Sequence, residues 1–420
     1  MKGVLIGVGV ICLLGSVSIS AEIMLFNPDW NIKNMVIQLL LEDDVIKATK
    51  PEDIEALRRA HYGVHRKGEL ILQLEDALYV MDVRNAKCLE GGKEISFNDL
   101  AQRFMRKKLF AEYATYKDWR ERGLMVRPIH EAKTGYKKNP IIKYPSQKLT
   151  PPKAKVEGMF FSDDRIAVVE DPIIGRKLYD DHWFGQYGSY KAEERGRLLK
   201  LDKFETLFLM KRSDLTLRGM KIAELEKELN KDPDFEAMYD VYDDWRMAGF
   251  VVKSGFKFGT HFRIYFPGAS PVKSGEWVHS KHVLHVFPRT KRMIIAEWAR
   301  AIRVAHGVRK TFILAIPGKK MKKEKEESET ALSFLLYHRA GNGIETPDKH
   351  DPSFAMLSLS EDEMIGGAEL ARAIGEAKHL GLDLMLAIAD RETAVTYYRV
   401  KRIELPGSKY EYYEIEWAQP

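Results

Sequence analysis

The chain has 420 residues, 45% of them hydrophobic and 30% charged, with a formal net charge of +6. This is too long for one ordinary core, and two to four compact units of an ordinary soluble globular protein are expected. The mild basicity is compatible with a nucleic-acid partner without establishing one. The two cysteines, Cys12 and Cys88, form neither a metal-binding spacing nor a disulfide framework, which suits a reducing compartment.

At the start, Lys2, the apolar run Gly3 to Leu14 and the small residues up to Ala21 have the outline of a secretory signal. The run is short of the roughly 20 apolar residues that span a bilayer. Gly3-Val4-Leu5-Ile6 also matches Gly158-Met159-Phe160-Phe161, so a strand is expected there, in a cytoplasmic chain without a membrane segment.

An internal repeat organises the first half. Tyr113-x-x-Tyr116-x-Asp118-Trp119-Arg120-x-x-Gly123 returns 126 positions later as Tyr239-x-x-Tyr242-x-Asp244-Trp245-Arg246-x-x-Gly249. Each copy predicts a helix closed by a glycine that supplies a left-handed cap. Leu78-Tyr79-Val80-Met81 and Leu207-Phe208-Leu209-Met210 are repeated as well and are expected to be strands. The first unit is therefore placed at 1–127. Pro140, Pro145, Pro151 and Pro152, set among lysines, predict an extended linker over 128–155.

A second repeat, at an offset of 72, organises the rest. Ala296-Glu297-Trp298-Ala299-Arg300-Ala301-Ile302 returns as Ala368-Glu369-Leu370-Ala371-Arg372-Ala373-Ile374, and Phe312 to Ile316 as Leu384 to Ile388. Phe262 and Tyr265 fall on Phe334 and Tyr337, but His279 falls on Asp351 and Lys310 on Leu382. One copy thus carries a Tyr/His/Lys set, and the other keeps the apolar frame while losing two of the three. A complete unit is placed at 156–328, with subdomains 156–238 and 239–328, followed by a partial unit at 329–420. Strands interleaved with single helices, without regular βαβ alternation, predict an α+β fold of repeated small mixed units.

The stretch from Tyr239 to Lys310 carries a specific pattern. It comprises Tyr239-Asp-Val-Tyr242, Gly249 to Tyr265 with Gly255-Phe-Lys257-Phe-Gly259-Thr-His261-Phe-Arg263-Ile-Tyr265, then His279-Ser280 and Ala305-His306-Gly307-Val308-Arg309-Lys310. It resembles the catalytic domain of archaeal tRNA-splicing endonucleases. One complete unit flanked by two partial ones is similar to the three-unit form of that family, which works as a homodimer.

The resemblance implies Tyr265, His279 and Lys310 as the catalytic set, precursor tRNA as substrate, and no metal or cofactor. RNA cleavage without a metal needs a base for the 2′-OH, an acid for the departing 5′-oxygen and a cation for the phosphate, and phenol, imidazole and ammonium supply these. A phenol pKa near ~10 leaves little phenolate at neutrality. Lys310 is expected to lower it, unless Tyr265 only orients the hydroxyl. The products implied are a 2′,3′-cyclic phosphate and a 5′-hydroxyl, cut at bulge-helix-bulge junctions. A non-catalytic RNA-binding scaffold subunit is the alternative.

Further residues follow from the same resemblance. Arg303, two turns before Lys310, is expected to stack on a flipped base, with Arg339 or Arg402 as the second arginine. Independently of the resemblance, the loop Ser189 to Arg197 is longer than its counterpart after Gly63 and basic, which makes its Lys191 a candidate RNA contact. The loop after Ile316 is long and starts basic, with Lys319, Lys320, Lys322 and Lys323, while its counterpart is short and acidic, and the resemblance implies that Asp390 and Glu392 there dock on a basic face of the catalytic unit.

Overall fold

The computed structural model of the chain describes residues 36–272, 279–318, 330–341, 343–408 and 410–420. Among them, no helix is long and apolar enough to cross a membrane. The fold is mixed α/β, built on one long sheet. From one edge it runs Val251–Ser254, Phe262–Tyr265, His282–Val286, Thr311–Ala315 and Tyr412–Ala418. It continues through Val395–Glu404, Asp383–Ala389, Phe354–Ser360 and Phe334–Leu336 to Val126–Pro128. Counted inward from either edge, two antiparallel pairings are followed by a parallel and an antiparallel one. Val395–Glu404 and Tyr412–Ala418 then join the halves antiparallel at the centre.

Period-two alternation gives this sheet two buried faces. In Thr311–Ala315, Phe312 and Leu314 pack into the cluster under helices Ile295–Gly307 and Gly367–Leu380, while Ile313 and Ala315 pack into the cluster that holds Phe208, Trp245 and Tyr412. In Asp383–Ala389, Leu384, Leu386 and Ile388 join that helix cluster and Met385 and Ala387 join the cluster that holds Tyr79, Trp119 and Tyr397. Helix Ile295–Gly307 buries Ile295, Trp298, Ala299, Ile302 and Ala305, the spacing of one helical face.

Two smaller sheets stand apart from the long one. The first orders Val64–Arg66, Glu69–Leu72, Val45–Ala48, Gln38–Glu42, Lys87–Glu90 and Lys93–Ile95. The second orders Gln186–Tyr187, Leu199–Asp202, Ile166–Val169, Val156–Phe161 and Leu215–Leu217. In the first, Gln38–Glu42 pairs antiparallel with Val45–Ala48 and parallel with Lys87–Glu90. Val156–Phe161 does the same with Ile166–Val169 and Leu215–Leu217. The strand pair at the head of the first sheet is thus 38–48, and the strand expected at Gly3–Ile6 lies outside the described residues.

Leu78–Met81 and Leu207–Met210 are helical, within Leu74–Arg84 and Lys203–Arg212, not strands. Every residue from Phe204 to Met210 is buried, so the helix is enclosed on all sides and shows no 3.6-residue pattern. The usable signal was the capping box. Glu205 N donates to Asp202 Oδ1 at 2.8 Å, and Asp202 N to Glu205 Oε2 at 3.1 Å.

The two Trp-Arg helices are Leu109–Glu121 and Phe235–Met247. Trp119 and Trp245 are fully buried. The buried guanidinium groups satisfy backbone carbonyls: Arg120 donates to Ala60 O at 2.7 Å, and Arg246 to Phe250 O and His182 O at 3.1 and 3.0 Å. Gly249 follows at φ +93°, and a Cβ there would meet Gln147 O at 1.9 Å.

That contact shows where the proline-rich connector runs. It is extended but docked along its length, with Lys138 bridging Leu382, Ile142–Lys143 pairing with Ile403 and Glu404, and Gln147 N donating to Ala248 O at 3.0 Å. Its Tyr144 is buried against Trp245, Phe266 and His282.

Candidate active site

Strand Phe262–Tyr265 buries Phe262 and Ile264 in the core and turns Arg263 and Tyr265 to the opposite face, where a cleft of about 640 Å³ separates the nuclease sheet from the smaller second sheet. Tyr265 is itself buried, its ring 4.7 Å from that of Trp183. Trp183 closes helix Pro172–His182 in a left-handed conformation at φ +51°. The same cleft is lined by His279, Ser280 and Lys310, so residues drawn from three separate elements share one wall.

Ser280 holds this wall together. Lys310 Nζ donates to Ser280 Oγ at 2.9 Å and also to the Ser280 carbonyl, which ties the ammonium to the residue beside His279. Ser280 hydrogen-bonds Tyr265 as well. Lys310 is placed by the turn ending helix Ile295–Gly307, where its N–H bonds Ala305 O at 2.9 Å. His279 is exposed at the mouth of the cleft.

The electrostatics depart from expectation in one respect. Burial raises the Tyr265 pKa, against the lowering effect of Arg263 and the Ser280 hydrogen bond. The cation acting on Tyr265 is therefore Arg263, whose guanidinium lies 5.9 Å from the ring, and not Lys310. Lys310 is itself pushed down by burial and then by Arg263. Arg263, Ser280 and Trp183 are the members that sequence reasoning missed. Arg263 had a signal, since two residues before Tyr265 on a strand means the same face.

The cleft floor holds a nearly buried ion pair. Lys253 Nζ lies 2.7 Å from Glu205 Oε1 and donates to Gly185 O at 2.9 Å, while Gly185 N donates to Glu205 Oε1 at 2.9 Å. It clamps the smaller sheet to the nuclease strand that pairs with Tyr265.

The remaining expected residues are dispersed. Lys191 lines the cleft from the loop after Ser189. Arg303 is exposed on its helix, beside the Tyr398 hydroxyl and outside the cleft lining. Arg339 sits in the hairpin Arg339–Ile344 and bonds Arg122 O at 3.1 Å, in the half without the Tyr/His/Lys set. Arg402 stands 3.6 Å from Glu411 on the central strand pair. Neither lines the cleft. Asp390 and Glu392 are exposed. Asp390 accepts from the backbone N–H groups of Glu392 and Ala394, both at 2.9 Å, and Arg391 pairs with Asp362 at 2.7 Å. The basic loop at Lys319 to Lys323 lies outside the described residues.

Two family models match this part of the chain: the tRNA intron endonuclease N-terminal domain over residues 159–227 and its catalytic C-terminal domain over 235–326. The chain is 35% identical to the tRNA-splicing endonuclease of Thermococcus kodakarensis over 162 residues, 88% of that protein and 37% of this chain. The chain belongs to the tRNA-splicing endonuclease family. The Methanopyrus kandleri tRNA-splicing endonuclease is similar at 35% over 158 residues, covering 83% of that protein and 36% of this chain. The tRNA-splicing endonuclease of Methanococcoides burtonii aligns at 25% over 328 residues, 90% of its length and 62% of this chain. In this tRNA-splicing endonuclease the two matched domains are the two walls of the cleft.

Proposed function

We propose that this tRNA-splicing endonuclease cuts precursor tRNA at bulge-helix-bulge intron boundaries as a cytoplasmic homodimer, with Tyr265, His279 and Lys310 as its catalytic residues. One observation carries the assignment: these three line one cleft wall, joined through Ser280. The phenolate of Tyr265 takes the 2′-OH proton and the 2′-oxygen bonds to phosphorus. The P–O5′ bond breaks, and His279 as imidazolium protonates the departing 5′-oxygen. Lys310 balances charge on the phosphoryl oxygens. The products are a 2′,3′-cyclic phosphate and a 5′-hydroxyl, and none of these steps calls for a metal. Because burial raises the Tyr265 pKa, phenolate is scarce near neutrality, and Arg263 is the group that counters this.

We read the long sheet as two repeated halves. The first unit and the C-terminal unit form the partner of the complete unit, with one Tyr/His/Lys set per chain. A substrate with two bulges then needs two chains related by a twofold axis. Asp390 and Glu392, which are exposed, are the acidic residues of a docking contact made within the chain or across the dimer.

The test is His279→Ala assayed in EDTA beside the wild type. Cleavage by the wild type should persist in chelator, and the variant should lose about 10²–10⁴-fold in kcat while still binding precursor. Equal loss of binding and cleavage would make His279 structural, and loss of wild-type activity in EDTA that Mg²⁺ restores would end the metal-free mechanism.

A further inference from the structure

On the far side of His279, Ser280 and Lys310 the cleft continues into an open groove of about 710 Å³, whose rim carries Lys143, Lys281 and Arg309. Arg309 has a left-handed backbone at φ +55° in the turn just before Lys310. An L side chain is strained there, and glycine is the usual occupant. The counterpart 72 positions on is glycine: Gly381, at φ +83°. The catalytic half therefore holds an arginine, beside its catalytic lysine, in a position where the other half uses the unstrained residue. Strain retained beside a reacting group points to use of the side chain. Among the described residues, neither the Arg309 nor the Lys143 side chain has a hydrogen bond or ion pair.

The connector treats the two halves differently. At Gly381 it closes the surface: Tyr136 N bonds Leu380 O at 3.0 Å, Lys138 N bonds Gly381 O at 2.9 Å, and a Cβ on Gly381 would meet Tyr136 O at 1.6 Å. Further on, buried Tyr144 anchors it by donating to Glu414 and packing on Phe266, and this leaves Lys143 exposed on the groove rim. Glu414 also lines the groove, where its carboxylate is held by the Tyr144 hydroxyl.

We propose that this groove binds the RNA backbone next to the scissile phosphate, with Arg309 and the connector's Lys143 as phosphate contacts, while the same connector covers the equivalent place on the other half. The inference rests on the nuclease reading of the cleft and adds a strand path to it.

The experiment measures equilibrium binding of a precursor RNA, made non-cleavable by a 2′-deoxy nucleotide at the junction, over a series of KCl concentrations. The proteins compared are wild type, Arg309→Gly, Arg309→Lys and Lys143→Gln. Each neutralised contact on single-stranded RNA should reduce the slope of log affinity against log salt by about 0.7. Arg309→Gly and Lys143→Gln should each show that drop, Arg309→Lys should keep the wild-type slope, and Arg309→Gly should melt no lower than wild type. Wild-type slopes in both Arg309→Gly and Lys143→Gln would overturn the proposal, as would a drop in Arg309→Lys equal to that of Arg309→Gly. Failure of the nuclease reading is separate, because it would appear as cleavage that persists in His279→Ala whatever the slopes.

Discussion

Lys253→Met tests whether the cleft is held in shape by its buried charges. The Lys253 and Glu205 side chains are only 11% and 4% exposed. Removing the ammonium strands a carboxylate that retains the Gly185 N–H, with Asp202 nearby as a second acid. Breaking one side of a buried pair costs about 3–5 kcal/mol, and at roughly 2–4 °C per kcal/mol for units of this size the midpoint should fall by roughly 6–20 °C. Lys253→Met/Glu205→Gln should recover part of this, because it removes the stranded charge, while the single amide oxygen of glutamine can accept from Gly185 N–H or from Asp202 N–H but not from both. The pH dependence follows from Asp202, which burial and then Glu205 push from 3.8 to about 7 while Lys253 pulls it down. An acid whose folded pKa exceeds its unfolded one holds its proton longer in the fold, so stability falls as pH rises from about 4 to 7. Loss of Lys253 extends that fall upward, and the penalty should be smaller at pH 5 than at pH 8. Tryptophan fluorescence during thermal unfolding at both pH values measures it. A wild-type midpoint, or a penalty that does not change with pH, would refute the electrostatic account of the clamp.

Two further outcomes are expected. Arg263→Gln should leave Tyr265 with a still higher pKa, lower kcat by up to about 10²-fold with little change in KM, and move the alkaline limb of the pH–rate profile upward; a profile identical to wild type would remove Arg263 from the chemistry. Reversing Asp390 and Glu392 together to lysine should weaken the proposed docking contact by about 2–5 kcal/mol if it is desolvated, and sedimentation and cleavage at low and high salt read this; a variant with wild-type assembly and activity at both would reduce the loop to a solvated turn.

The sequence exposed what depends on local pattern or exact recurrence. Helix Ile295–Gly307 shows its face in the spacing of Ile295, Trp298, Ile302 and Ala305. The 72-residue offset brought Tyr265, His279 and Lys310 forward together, although they touch only through folded contacts at Ser280. Helix Lys203–Arg212 was misread because enclosure on all sides removes the polar stripe that marks a helix. The sign of the Tyr265 shift was not readable either. It depends on how deeply Trp183 and its neighbours bury the ring, and that is a property of the assembled cleft.

The connector shows a third kind of information. Proline and lysine density points to extended backbone, but composition carries no record of which surfaces an extended segment lies on. Those surfaces are specified elsewhere, by glycines that leave room for it: Gly249 under Gln147 and Gly381 under Tyr136. In the half without the catalytic set, Leu382 occupies the place of Lys310 and is 2% exposed in the helix-backed core. An apolar side chain fully buried there is worth about 1.5–3 kcal/mol, whereas an ammonium would have to be desolvated without a partner. Absence of a lysine at this position and coverage by the connector therefore favour one another: a covered position favours leucine, and a leucine surface accepts cover. The half that kept Lys310 has to stay open beside it, which is where the chain carries a strained arginine in place of glycine.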